Sequence, residues 1–108
     1  MAAAGADILV AHMGLTTAGL IGARTALALE ECIPRIQAIR DAAARVCGDN
    51  LVLCHGGPIS GPEDAAIILQ GTEGVAGFFG ASSIERIPSE RAIIAQVQAF
   101  KAIALSQA

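Results

Sequence analysis

Two stretches of the chain repeat one pattern. Asp7-Ile8-Leu9-Val10-Ala11-His12-Met13-Gly14 aligns with Asn50-Leu51-Val52-Leu53-Cys54-His55-Gly56-Gly57, in each case a run of apolar residues closed by a histidine, with a glycine two positions later. A short apolar run without polar alternation is what a strand of a parallel sheet requires when both of its faces are covered. Side chains alternate along a strand, so Ile8, Val10 and His12 share one face, as do Leu51, Leu53 and His55. Both imidazoles are therefore expected at equivalent places on the carboxyl ends of two strands, where parallel α/β folds collect their ligands.

Helical patterns separate the strands. From Leu29 the residues Leu29, Ile33, Ile36, Ala43 and Val46 fall on one helical face. Glu30 and Glu31 suit the start of that helix and its dipole, Pro34 is tolerable only near the start, and Gly48 can end it. Ser60-Gly61-Pro62-Glu63 has the composition of a second helix entry, with a stop at Gly71. Ile93, Val97, Phe100 and Ala104 mark one face of a third helix, whose start is punctuated by Pro88 and Ser89. The pattern predicts strands over 7–12, 51–55 and 75–79 and helices over 29–47, 62–70 and 89–105. Strands alternating with helices in this way are parallel and joined by right-handed crossovers.

Composition narrows the function classes. Hydrophobic residues make up 54% of the 108-residue chain, so burial is intended and disorder is not expected. A net charge of −3, the absence of a Lys/Arg run, three Phe and no Trp or Tyr argue against a nucleic-acid partner. The segment Met1 to Gly5 has no basic character and Ile8 to Ala11 is far too short for a membrane span, so a cytoplasmic protein without a membrane partner is expected. Cys32, Cys47 and Cys54 form neither a CxxC pair nor an even framework and read as reduced thiols, plain core filler. The Gly14 to Gly19 spacing lacks the Lys-Ser/Thr of a P-loop, since Leu20-Ile21 stands there, and neither GxGxxG nor GxSxG occurs.

The strand ends carry a family likeness. Gly5-Ala6-Asp7-Ile8, Val10-Ala11-His12-Met13-Gly14-Leu15-Thr16-Thr17, Leu53-Cys54-His55-Gly56-Gly57-Pro58-Ile59 and Gly77-Phe78-Phe79-Gly80-Ala81-Ser82-Ser83-Ile84-Glu85-Arg86 together resemble the phosphoenolpyruvate hydrolase-like, or TIM-barrel signal transduction, family from about Gly5 to Ile103. The resemblance implies an α/β fold of three consecutive βα units with parallel strands, the C-terminal part of a (β/α)8 TIM barrel distantly akin to phosphoenolpyruvate mutase-type enzymes. It extends to the barrel portion of plant tobamovirus-resistance proteins, which act by binding a viral replication protein, so protein binding competes with catalysis. A closed barrel usually takes about 250 residues and three parallel strands cannot close one. Self-association or another chain completing the barrel is the expected consequence. No cofactor is evident, and a divalent cation such as Mg2+ would need ligands from strands outside this chain.

Candidate chemistry follows from these blocks. His12 and His55 are the candidate catalytic residues, since imidazole serves as acid or base near neutral pH and also binds anions. The plainer alternative is that each caps its strand by a hydrogen bond to a neighbouring loop. A metal role is weaker, because two His are an incomplete set and Cys54 points to the opposite face from His55. Gly56, Gly57, Gly80, Ser82 and Ser83 follow two strands where backbone N–H groups commonly hold phosphate or carboxylate; the alternative is that the glycines serve tight turns. Gly14, Thr16 and Thr17 lie in the longest loop, placed to fold over a small anionic ligand, with Arg24 either an anion clamp or a surface residue. Glu85 and Arg86 are placed to orient a ligand or to pair with each other.

Overall fold

The computed structural model of the protein describes residues 1–20 and 27–105, so the expectation for Arg24 lies outside the described residues. After a 3-10 turn at Ala2–Ala4 the order is β1 (Ile8–His12), α1 (Leu29–Val46), β2 (Leu51–His55), α2 (Pro62–Gly71), β3 (Gly77–Phe78) and α3 (Ile87–Lys101). The strands form one open sheet in the order β1-β2-β3, all parallel. The chain is thus α/β, three consecutive strand–helix units.

The internal repeat is realised as a register. Ile8 pairs with Leu51, Val10 with Leu53 and His12 with His55, while Leu53 and Cys54 pair with Gly77 and Phe78. β3 is shorter than the expected 75–79 because only its centre has full ladder geometry. Pairing continues at its flanks through Ala76 N–H to Val52 O (2.8 Å) and Phe79 N–H to Cys54 O (2.9 Å).

Helix α1 begins where Glu31 can reach back. Its carboxylate accepts the Ala28 N–H at 2.8 Å, and the Ala28 carbonyl accepts the Glu31 N–H at 3.1 Å, closing the first turn although Ala28 has no side-chain acceptor. Cys32, Ile36 and Ala43 are its buried residues, with Leu29 and Ile33 packed at the margin. Val46, expected on the same face, is exposed and lines an open groove with Met1, Ala2 and Leu9. Gly61 caps α2, Pro62 takes the first helical position, and Ala65 and Ile68 are buried. Gly71 lies against the Ile33 side chain, where a Cβ would collide, so α1 and α2 approach closely at that point. The Gln37 amide then grips the chain after α2, accepting the Glu73 N–H (2.7 Å) and donating to the Glu73 carbonyl (3.2 Å).

Burial is one-sided, contrary to the expectation of strands covered on both faces. Ala11, Val52 and Cys54 are buried beneath α1 and α2 with Ile36, Ile59 and Ile68, and Leu9 and Phe78 join them. Among the described residues nothing is layered over the opposite face: Ile8 (56% exposed), Val10, Leu51 and Phe79 stand open. Nor does α3 return to the sheet. Of its residues Ile87 alone is buried, while Ile93, Val97 and Phe100, which mark one face of the helix in the sequence, are at least half exposed. The radius of gyration of 18.7 Å, against about 13 Å for a compact chain of this length, reflects that projection. Of the cysteines, Cys32 and Cys54 are core residues as expected and Cys47 is exposed.

Candidate functional site

The carboxyl rim of the sheet is assembled by the close approach of two strand-end loops. Met13 N–H donates to His55 O (2.8 Å), Gly57 N–H to Gly14 O (2.7 Å) and Thr17 N–H to Gly57 O (3.2 Å). The Thr17 hydroxyl leans on that same Gly57 carbonyl. Gly56 and Gly57 have φ of 78° and 61°, and a Cβ on either would strike the backbone carbonyl of Gly14 or Met13. The glycine pair is therefore required by chain-to-chain contact. Because the Gly57 N–H is engaged by Gly14, it is not an available anion donor.

Above this junction stand the two imidazoles. His12 and His55 are cross-strand neighbours with ring centroids 4.8 Å apart in an edge arrangement, and the Phe79 ring lies 5.2 Å from His55 on its other side. Backbone contacts assign each ring a tautomer in its neutral form. His12 Nδ1 accepts the Gly14 N–H at 3.0 Å, so its proton is on Nε2. His55 Nδ1 lies 2.6 Å from the Phe79 carbonyl, which only accepts, so Nδ1 carries the proton and Nε2 keeps a lone pair. Each histidine thus makes the strand-end hydrogen bond of the plainer reading and still has a second ring nitrogen to offer. The tautomer also bears on metal binding: with Nε2 protonated, His12 has no lone pair there to give. Among the described residues no group of three metal-ligating side chains comes together.

The remaining candidates divide. Gly14, Thr17, Gly56 and Gly57 are gathered beneath the imidazoles, with Thr16 half-buried in the same loop. Gly80, Ser82 and Ser83 lie in the turn entering α3, where Ser82 O accepts the N–H groups of Arg86 (3.2 Å) and Ile87 (2.8 Å). Ser83 is not brought to the imidazoles. Its hydroxyl is buried without a hydrogen-bond partner beside Phe78, Gly61, Pro62 and Ile84, on the side of the sheet opposite His55. Arg86 does not pair with Glu85, whose carboxylate accepts the Arg86 backbone N–H instead (3.1 Å). The Arg86 guanidinium bonds to Glu90 (2.9 Å) and to the Ala18 carbonyl (3.1 Å), and Glu90 accepts the Leu20 N–H (3.0 Å). This clamp holds the loop after β1 against the first turn of α3. The Leu20 N–H, and then the Arg86 guanidinium, hold the Glu90 carboxyl below the usual glutamate range.

Two participants were missed in the sequence, Phe79 and Glu90. Parallel register carries the first, since pairing of Gly77 with Leu53 sets Phe79 beside His55; the i, i+4 spacing from Arg86 carries the second. Cys54 behaves as expected, buried on the far face with its thiol pushed up by burial, as is that of Cys32.

The phosphoenolpyruvate hydrolase-like family matches residues 1–103, which takes in all three strands and the whole rim. The chain belongs to that family. Two tomato (Solanum lycopersicum) proteins, ToMV resistance protein Tm-1(GCR237) and ToMV susceptible protein tm-1(GCR26), are each 62% identical to it over 105 residues, 97% of this chain and 14% of theirs. A putative transcriptional regulatory protein of Sinorhizobium fredii, y4pA, is 30% identical over 106 residues, 98% of this chain and 17% of its own. The chain of this family member therefore spans less than a fifth of the length of these relatives. The resistance and susceptible proteins match it equally, so the degree of likeness does not single out resistance.

Proposed function

We propose that this family member supplies one arc, the C-terminal part, of a (β/α)8 barrel completed by another chain or by further copies, and that His12 and His55 form the rim of a site for a small phosphorylated or carboxylate ligand. The observation that carries this reading is the open face of the sheet. In a barrel the helices cover the outside and the other strand face is packed inward. Here α1 and α2 cover one face, and the apolar face left open, with Ile8, Val10, Leu51 and Phe79, is the one that bears both imidazoles at its carboxyl end. Hydrophobic strand faces and two unpaired sheet edges in water are a drive to associate.

Sedimentation velocity over a wide concentration range, with and without phosphoenolpyruvate, tests the reading. The expected result is a compact oligomer that Val10→Asp converts to a smaller species. A monomer at every concentration would reject completion by further copies. Binding of phosphoenolpyruvate by calorimetry to the oligomer, and its loss in the double variant His12→Asn/His55→Asn, would support the rim site.

A second reading has its own observation, the uncovered stripe of α3. On that reading the chain is a protein-interaction module without catalysis. It requires association to be abolished by Ile93→Asp and left intact by the double histidine variant, with no anion affinity.

A further inference from the structure

The two rim imidazoles differ in what they can do with a proton, although sequence and register make them look equivalent. The His12 ring receives the Gly14 N–H at Nδ1 (3.0 Å), a contact that exists only while Nδ1 keeps its lone pair. Protonating His12 would set N–H against N–H and break the hydrogen bond that shapes the start of the β1 loop. The His55 ring already donates from Nδ1 to the Phe79 carbonyl (2.6 Å), and that bond is kept, indeed strengthened, when Nε2 takes up a proton and the ring becomes cationic. His12 is thus a neutral donor through Nε2, and His55 is the proton carrier.

The groups that meet His55 support this division. From β1 it faces the His12 ring, and from β3 the ring and carbonyl of Phe79. On the turn before α3 and on α3 itself, Arg86 and Glu90 are bonded to one another and to the β1 loop, and Glu85 accepts the Arg86 backbone N–H. Cys54, its neighbour in the strand, lies on the other face.

Resting on the rim site proposed above, we infer that the pair binds an anion together with one proton, taken from solvent onto Nε2 of His55. Before uptake the pair offers one donor, His12 Nε2–H, and one acceptor, the His55 Nε2 lone pair, and a lone pair repels a phosphate or carboxylate oxygen. After uptake a new N–H bond exists on His55, the ring carries one positive charge, and both Nε2–H groups are donors toward the same anion. His55 is then the residue able to pass that proton to a bound ligand, and His12 the one that orients it.

Nitrogen-15 NMR of the histidine-labelled full chain, titrated without ligand, reads the division directly. His12 is expected as the Nε2–H tautomer and His55 as the Nδ1–H tautomer at alkaline pH, with His55 the first to become doubly protonated. Two identical tautomers, or His12 protonating first, would overturn the inference whether or not any anion binds. With phosphoenolpyruvate and, separately, inorganic phosphate as probes, calorimetry in buffers of different ionisation heat should show uptake approaching one proton per anion at any pH where the free chain keeps His55 neutral. The dissociation constant should rise about tenfold per pH unit there, as a single linked proton requires. His55→Asn, whose amide can keep the bond to Phe79 O, should abolish the uptake. His12→Asn, whose carbonyl can keep the Gly14 bond, should weaken binding and retain it. Binding with no proton uptake would overturn the inference and leave the rim site standing; no binding at any pH would overturn both.

Discussion

Helices α1 and α3 are similar in kind and opposite in situation. Both are amphipathic and both follow a strand–loop segment. α1 buries Cys32, Ile36 and Ala43 against the sheet, whereas α3 buries Ile87 at its first position and presents Ile93, Val97 and Phe100 to solvent. The difference teaches that an apolar stripe is a demand for a partner and does not by itself produce one. α1 lies over two paired strands and beside α2; among the described residues α3 is held near its start, by the buried Ile87 and by the Arg86–Glu90 clamp to the loop after β1.

The largest test of that contrast is truncation in the two stripes. Ile36→Ala, at a fully buried position, should cost about 2–5 kcal/mol in urea unfolding, whereas Val97→Ala in the dilute, dissociated chain should stay within about 0.5 kcal/mol. Equal costs would mean that α3 has a cover of its own. Next comes the loop junction that belongs to the packed region. Gly57→Ala forces a Cβ against the Met13 carbonyl at φ 61° and should destabilise by about 1–3 kcal/mol by the same assay. A neutral result would show that the two rim loops can separate without consequence.

The tether of α3 should be acid-sensitive. Because Glu90 titrates below its unfolded value, its contribution is fully present above the ordinary carboxylate range near pH ~4.3 and is lost as pH falls through its lowered folded value. The protection factor of the Leu20 amide, its exchange rate measured against the unfolded chain at the same pH, should fall across that descent while the amides of β2 stay protected; Glu90→Gln should remove most of the pH dependence. Protection at Leu20 that is indifferent to pH and to the variant would break the clamp assignment. The smallest effect concerns thiols: Cys47 should label rapidly with a thiol reagent under native conditions, and Cys32 and Cys54 only on unfolding. Fast labelling of Cys54 would put the covered face of the sheet in question.

Among the described residues no helix is long and apolar enough to cross a membrane.

The strand and helix order was legible in the chain because each element announces itself over neighbouring residues: apolar runs closed by histidine, a 3.6-residue stripe from Leu29, Pro62 and Pro88 near helix starts. The two histidines were legible as a pair because parallel register follows from an internal repeat. What the residues alone could not give were the contacts between segments far apart in sequence. That Gly57 N–H meets Gly14, that Arg86 pairs with Glu90 and grips Ala18, and that Ser83 falls on the opposite side of the sheet from His55 all depend on how units pack. The tautomers of His12 and His55 were likewise decided in three dimensions, by which backbone group each ring meets. A hydrogen-bond partner is a matter of position, and local sequence specifies a conformation without specifying what stands opposite it.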